Sequence, residues 1–281
     1  MTAIRQAVIF SDLHCGCQFG LCPQGKIRLD GGGTYTPPKR QRHLSELWEY
    51  AWKHWVPKAT RGEPYAVVVN GDVLDGVHHN SVTQITHNLN DQRRIAYDVL
   101  APIRDKTDAF YMVRGTEAHV GQSAQDEESL AGQLDAVRDD NGNAARYELW
   151  LALGPALVNC AHHIGTSGSM AYETSALMRE LAELMIDSAR WGHRPPDVVV
   201  RSHRHTHVEV RIPTQNVYGI CFTTAAWQLK TPFASRVAGA RTVTPHIGLS
   251  LVRRGDEEIY TRHFVQSLKR SRVATPRRRN G

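Results

Sequence analysis

Five separate apolar, strand-like runs in this sequence end in, or lead closely into, Asp or His. The residues are Asp12 and His14, Asp72, His119, His162, and His203 with His205; Asp75 lies just beyond the second run. In open α/β sheets the carboxyl ends of strands face the ligand crevice. A lone His at a strand end is usually a hydrogen-bonded structural residue, but coincidence is a poor account of five. Carboxylate and imidazole without an obligatory thiolate suit manganese, iron or zinc, and magnesium less well. Of the five cysteines, Cys15, Cys17 and Cys22 cluster and Cys160 and Cys221 sit in apolar runs. An odd number without a regular framework is no disulfide scaffold. The three clustered thiols lack the nearby fourth ligand of a structural zinc site. They read as reduced thiols in a loop beside the candidate site.

The elements that must hold these residues follow from the apolar pattern. Buried strands are expected at 6–11, 65–70, 109–113, 156–161 and 197–200, each a nearly continuous apolar run. Helices are expected at 41–56, 92–103, about 127–137 and 173–191. In the first, Trp48, Trp52 and Trp55 share a face, which reads as core packing ahead of a base-stacking platform, and Pro57 should end it. The last helix places Leu177, Leu181, Leu184, Met185 and Trp191 in register. Four more strands are expected at 208–212, 217–224, 246–252 and 258–265. Alternating strands and helices followed by strands predict an α/β sandwich with partly parallel, partly antiparallel sheets. The Gly- and Pro-rich stretch 16–38 is too long for a simple connection, and such stretches often serve as lids or binding loops.

At 281 residues the chain suits one large domain, expected over 1–268, with a basic and disordered tail at 269–281. The net charge is +6, and Lys269, Arg270, Arg272, Arg277, Arg278 and Arg279 account for all of it. Such a tail either suits a polyanion such as nucleic acid or is a solubilising end. No run approaches the ~18 apolar residues of a membrane span. The start lacks a signal-peptide pattern, so a cytoplasmic protein with no membrane partner is expected.

The ordered blocks Asp12-Leu-His14, Gly71-Asp72-Val-Leu-Asp75, the Gly115 turn, His162 and His203-Arg-His205 resemble the calcineurin-like metallophosphoesterase superfamily. The likeness spans roughly residues 7–265. The insertion at 16–38 and the altered third block are similar to bacteriophage-encoded members, for which the compartment would be the host cytoplasm. The resemblance implies a four-layer α-β-β-α sandwich of two mixed sheets flanked by helices. It also implies two divalent metal ions, manganese first and iron or zinc next. Asp12, His14 and His205 would hold the first ion, Asp72 would bridge, and His162 and His203 would hold the second, with His163 as a substitute for His162. Two ions about 3.5–4 Å apart bracket a phosphoryl group and activate water between them. Bringing the water pKa from about 15.7 to near neutrality is worth about 12 kcal/mol, beyond any single side chain. Asp75 resembles the acid that orients the catalytic His, and it would also serve as a turn cap.

The third block departs from the family's Gly-Asn-His pattern: it reads Gly115-Thr116-Glu117-Ala118-His119. Either Thr116 or Glu117 completes the second site while His119 acts as the acid, or that site is weak and fills only at high metal concentration. His78, His79 and His87 read as surface residues. Gly76 stands where phosphoprotein phosphatases carry an Arg that clamps a monoester dianion, which leans towards a diester. Arg114 matches another phosphatase Arg and is a substrate-binding candidate. The segment 225–241 interleaves Trp227 and Phe233 with Lys230, Arg236 and Arg241, a pattern fitting a nucleic-acid or nucleotide groove as well as core packing. Lys230 is its substrate-binding candidate. The reading is a nuclease or nucleotide phosphodiesterase. The alternatives are a phosphomonoesterase, or a non-catalytic scaffold with a degenerate second site.

Overall fold

The computed structural model describes residues 3–78, 80–121, 123–165, 169–214, 217–236 and 243–268. The basic tail, His79 and Arg241 lie outside these residues, so the expectations resting on them have no structural counterpart. From the N-terminus the chain forms β1 (Gln6–Phe10), a small hairpin of β2 (Ile27–Arg28) and β3 (Thr34–Tyr35), then α1 (Lys39–Tyr50), a π-helical stretch (Ala51–Trp55) and α2 (Val56–Thr60). Next come β4 (Ala66–Asn70), α3 (Leu89–Arg104), β5 (Ala109–Val113), α4 (Glu117–Val120) and α5 (Gln125–Gln133). Strands β6 (Ala145–Arg146), β7 (Glu148–Leu153) and β8 (Ala156–Ala161) precede α6 (Glu173–Trp191). The remainder is β9 (Val198–Arg201), β10 (Val208–Thr214), β11 (Val217–Thr223), α7 (Pro232–Arg236), β12 (His246–Arg254) and β13 (Ile259–Ser267).

The strands make two mixed sheets, ordered β13-β12-β1-β4-β5-β6 and β10-β11-β9-β8-β7. In the first, β1, β4, β5 and β6 run parallel, and β12 and β13 are antiparallel additions. In the second, β8, β9 and β11 run parallel between antiparallel edges. Strand alternation explains the layering. In β1, Val8 and Phe10 face a core shared with α1, α3 and α5, while Ala7 and Ile9 face the other sheet. The far side of the second sheet packs Val199 and Cys221 on Leu177 and Leu181 of α6. The order is therefore helices, sheet, sheet, helix, a sandwich as expected.

Four local expectations need correction. Pro57 does not end the first helix. It falls at the start of α2, right after the π turn, where a missing backbone N–H is tolerated. The three tryptophans do line the core: Trp48 is buried, and Trp52 and Trp55 pack against it. Strand β7 was not foreseen, although its residues alternate strictly between exposed and buried. The helix expected at 127–137 is α5, which starts and ends earlier, and Trp191 of α6 is exposed rather than in the apolar face. The stretch 16–38 is anchored: Leu21, Cys22 and Ile27 enter the helix-side core, and Gln41 Nε2 donates to the carbonyls of Cys17 and Gly20. All five cysteines are buried and free, and burial raises the thiol pKa of Cys17 and Cys22 to about 12.

Candidate metal centre

The carboxyl ends of β1, β4 and β5 in one sheet and of β8 and β9 in the other open onto one spot. Turns at neighbouring ends are bonded to each other. Asp12 N–H donates to Gly71 O (3.0 Å), His14 N–H to Asp72 O (3.1 Å) and Ser202 N–H to His162 O (2.9 Å). Beneath them, Ser11, Thr224, Ser202 and Asn70 form a buried polar chain joining the two sheets, with contacts of 2.6–2.8 Å. Ser11 Oγ also donates to Asp12 Oδ2. The sharp exit from each strand forces the left-handed region. Among the described residues nine non-glycine residues have positive φ, and five are Asp12, His14, Asp72, His203 and His205. Each such residue costs about 1–3 kcal/mol, and strain of this kind concentrates at functional sites. The turns also approach closely. A Cβ on Gly71 would strike the His162 ring, and one on Gly115 would strike Asp72.

Among the described residues four groups of potential ligand atoms result. Asp12, His14 and His205 form the first and Asp72, His162 and His203 the second; His14, Asp72 and His119, and Asp75, His78 and His119, are the others, and within each all atoms lie within 4.8 Å of one another. Asp12 Oδ1 is 3.3 Å from His205 Nε2, and His14 Nε2 is 3.3 Å from His205 Nε2. His162 Nε2 is 3.0 Å from Asp72 Oδ2 and 4.0 Å from Asp12 Oδ1. Ligands on bonds of about 2.0–2.2 Å sit roughly 3.0–3.5 Å apart around an ion, so these spacings fit cations. Asp12 Oδ1 and His162 Nε2 are buried and have no hydrogen-bond partner, although the latter is near Asp72. The two atoms converge without bonding each other, as ligands of a shared centre do. His162 is buried while the alternative, His163, is exposed; His162 Nδ1–H donates to Asn70 O at 2.7 Å, which directs Nε2 into the site.

Electrostatics agree. Burial disfavours ionised Asp12 and Asp72, yet His205 and His162 outweigh it and hold both carboxyls well below the usual range. Burial likewise disfavours a charged His162, but Asp72 and Asp12 raise it to about 10.

The altered third block is resolved in part. Thr116 N–H donates to Asp72 Oδ1 at 2.6 Å, and its hydroxyl lies 3.2 Å from Asp72 Oδ2 and 3.1 Å from His203 Nδ1. Thr116 therefore joins the second group, whereas Glu117 is exposed. His119 Nδ1–H donates to the backbone carbonyl of Asp75 at 2.8 Å, and Nε2 is 4.0 Å from Asp72 Oδ2. Burial, then the neighbouring His14, lowers the His119 pKa to about 4. The Asp75 carboxylate does not orient His119. It lies 3.3 Å from His14 Nδ1 and accepts from Gln84 Nε2 at 2.8 Å.

A cavity of about 290 Å³ opens over the centre, walled by His14, Asp72, Thr116, His119, His203 and His205 on one side and by Lys230, Thr231 and Phe233 on the other. Lys230 is thus brought to the site. Arg114 is not: its Nε donates to Ala145 O at 2.8 Å and its guanidinium stacks 4.5 Å above the Tyr147 ring, because its place at the end of β5 turns it towards β6. Trp227 and Phe233 also part. Trp227 is fully buried, edge-on to Trp48 at 4.8 Å, whereas Phe233 is 57% exposed at the cavity wall. No residue of 16–38 lines this cavity, and the stretch instead bonds to the chain beside it, Leu21 N–H donating to Leu13 O and Leu229 N–H to Phe19 O.

Some contributors carried no sequence signal. Gln84, Asn70 and Ser202 look like ordinary loop and strand residues. His78, read as a surface residue, lines the cavity with its ring 4.4 Å from that of His119. Glu127, in an acidic run that reads as a solvated first turn, is fully buried; burial and then the Asp72 charge raise its carboxyl to about 7.

No helix among the described residues is long and apolar enough to cross a membrane. No family model matches the chain, and no curated protein matches it. Among solved structures, the chain is similar to Vacuolar Protein Sorting 29 from Cryptosporidium parvum, with a TM-score of 0.40, 12% identity and coverage of 95% of this chain and 100% of that one. A double mutant of Vps29 from Entamoeba histolytica gives 0.40, 11%, 93% and 99%. The Thermus thermophilus sulfate thiohydrolase SoxB gives 0.39, 13%, 95% and 57%.

Proposed function

We propose that this chain is a two-metal phosphoesterase that hydrolyses phosphodiesters of nucleic acids or nucleotides. The observation that carries the reading is the pair of adjacent Asp/His groups on strained strand ends, with Asp72 lying against both His162 and Thr116. In this reading Asp12, His14 and His205 would hold one ion, His162, His203 and Thr116 the other, and Asp72 would serve both. Manganese is the first candidate, then iron or zinc. When bound, such a pair supplies Lewis-acid polarisation of the phosphoryl oxygens and water of lowered pKa. The remaining work falls to the chain. Asp75, held by Gln84, fixes the His14 ring. His119 keeps Nδ1–H on a carbonyl, and its neutral ring offers Nε2 towards the cavity as a proton acceptor, the reverse of the acid role expected from the sequence. Lys230 supplies positive charge to the substrate phosphate, and Phe233 gives a face on which a base can stack.

Two features favour a diester. Gly76 replaces the clamping Arg of phosphoprotein phosphatases. Arg114, which would have spoken for a monoester, is bound to Ala145 and Tyr147 away from the cavity. The test is hydrolysis of bis-p-nitrophenyl phosphate and p-nitrophenyl phosphate with manganese, iron, cobalt or zinc, followed by DNA, RNA and cyclic nucleotides. Diester turnover that disappears with chelator is expected. Monoester turnover alone would replace this reading with a phosphatase, and no turnover with any metal would make the chain a scaffold.

A further inference from the structure

We infer that Glu127 is a positioning residue for the second metal ion, acting through the two turns that present Asp72 and Thr116. This rests on the two-metal reading above. Glu127 lies on α5, outside every strand end, and its side chain is fully buried. One carboxylate oxygen accepts from Val73 N–H at 2.9 Å and the other from Gly115 N–H at 2.8 Å. Val73 follows Asp72 and Gly115 precedes Thr116, so a single carboxylate ties the turn after β4 to the turn after β5. The tie is reinforced by Thr116 N–H donating to Asp72 Oδ1 at 2.6 Å.

The geometry needs two acceptor oxygens on one side chain. A Gln in its place would turn an NH₂ group against one of two N–H donors, and that bond would be lost. Either loss frees one turn relative to the other and blurs the spacing of Asp72 and Thr116. Groups behind a metal's ligands typically tune affinity by about 10–100-fold. The Asp12, His14 and His205 group hangs from β1 and β9 and meets this carboxylate only through Asp72, whereas the other ion depends on both tied turns, so the effect should fall unequally on the two ions. Glu128 supplies a matched control. Its carboxylate also accepts two backbone N–H groups, from Ala144 and Ala145 at 2.8 Å each, which tie β6, and it reaches the turn after β5 only through the Arg114 guanidinium at 3.5 Å.

The test is calorimetric titration of the full chain with Mn²⁺, comparing wild type, Glu127→Gln and Glu128→Gln, with thermal melts of each metal-free protein. Glu127→Gln should raise the dissociation constant of one site about 10–100-fold and change the other by a clearly smaller factor. Glu128→Gln should leave both within about twofold even where it melts lower. Equal changes at both sites in Glu127→Gln, no change at either, or the same split in Glu128→Gln would overturn the inference. Should Glu127→Gln not fold, Glu127→Asp, which keeps the charge but cannot reach both donors, is judged by the same outcomes. A wild type that binds fewer than two ions would instead overturn the two-metal reading itself.

Discussion

Loading the second ion should expel a proton from His162. The ring is wedged between Asp72 and Asp12, with its Nδ1–H spent on Asn70 O, so the proton that these carboxylates retain sits on Nε2, the atom facing the site. With a pKa raised to about 10, roughly 99% of the rings are charged at pH 8. An ion can bind Nε2 only after that proton leaves, so affinity at this site should rise about tenfold per pH unit between pH 6 and 8. Each unit corresponds to about 1.4 kcal/mol. The sign is fixed by the direction of the shift. A raised pKa favours the proton over the metal at every pH below about 10, and the competition eases as pH increases. Calorimetry with Mn²⁺ in buffers of different ionisation enthalpy counts the protons directly, and about one proton per second-site ion is expected at pH 7–8. A flat affinity across this range together with no net proton release would refute the reasoning, because His162 would then be neutral or not a ligand.

Asp72→Ala should abolish binding of both ions by calorimetry. It should also lower metal-free stability by about 3–5 kcal/mol in denaturant titration, since His162 loses its nearest counter-charge in a buried site. Lys230→Ala should raise KM for a diester about tenfold with unchanged metal stoichiometry. Arg114→Ala should leave KM within about twofold but melt lower, having lost its contacts with Ala145 and Tyr147. His119→Ala should keep both ions and lose about 10²–10⁴-fold in kcat; unchanged turnover would remove His119 from the mechanism.

The strand ends were legible because a buried apolar run followed within a residue or two by Asp or His is a local pattern, and β1, β4, β8 and β9 carry it, whereas His119 comes only after a full turn beyond β5. That Asp12 would meet His205, and Asp72 meet His162, depends on two sheets facing each other. Spacing along the chain does not contain that fact; the resemblance supplied it. Side-chain direction was less accessible. Arg114 and Thr116 are two residues apart at the end of one strand, yet one turns to β6 and the other to Asp72. Trp227 and Phe233 read alike in the sequence, and only packing against Trp48 separates them. Glu127 was hidden for a physical reason: an acidic first turn is ordinarily solvated, and its burial follows from α5 lying against two glycine-containing turns.

The left-handed backbone at the candidate ligands sets function against durability. His203 holds φ near 70° with a ring that is 43% exposed, so the fold gains little packing from it and bears the torsional penalty. Glycine occupies that region freely. His203→Gly should therefore melt higher than wild type when both are free of metal, and lower when both are saturated with it. Selection for stability alone would replace the histidine at this turn.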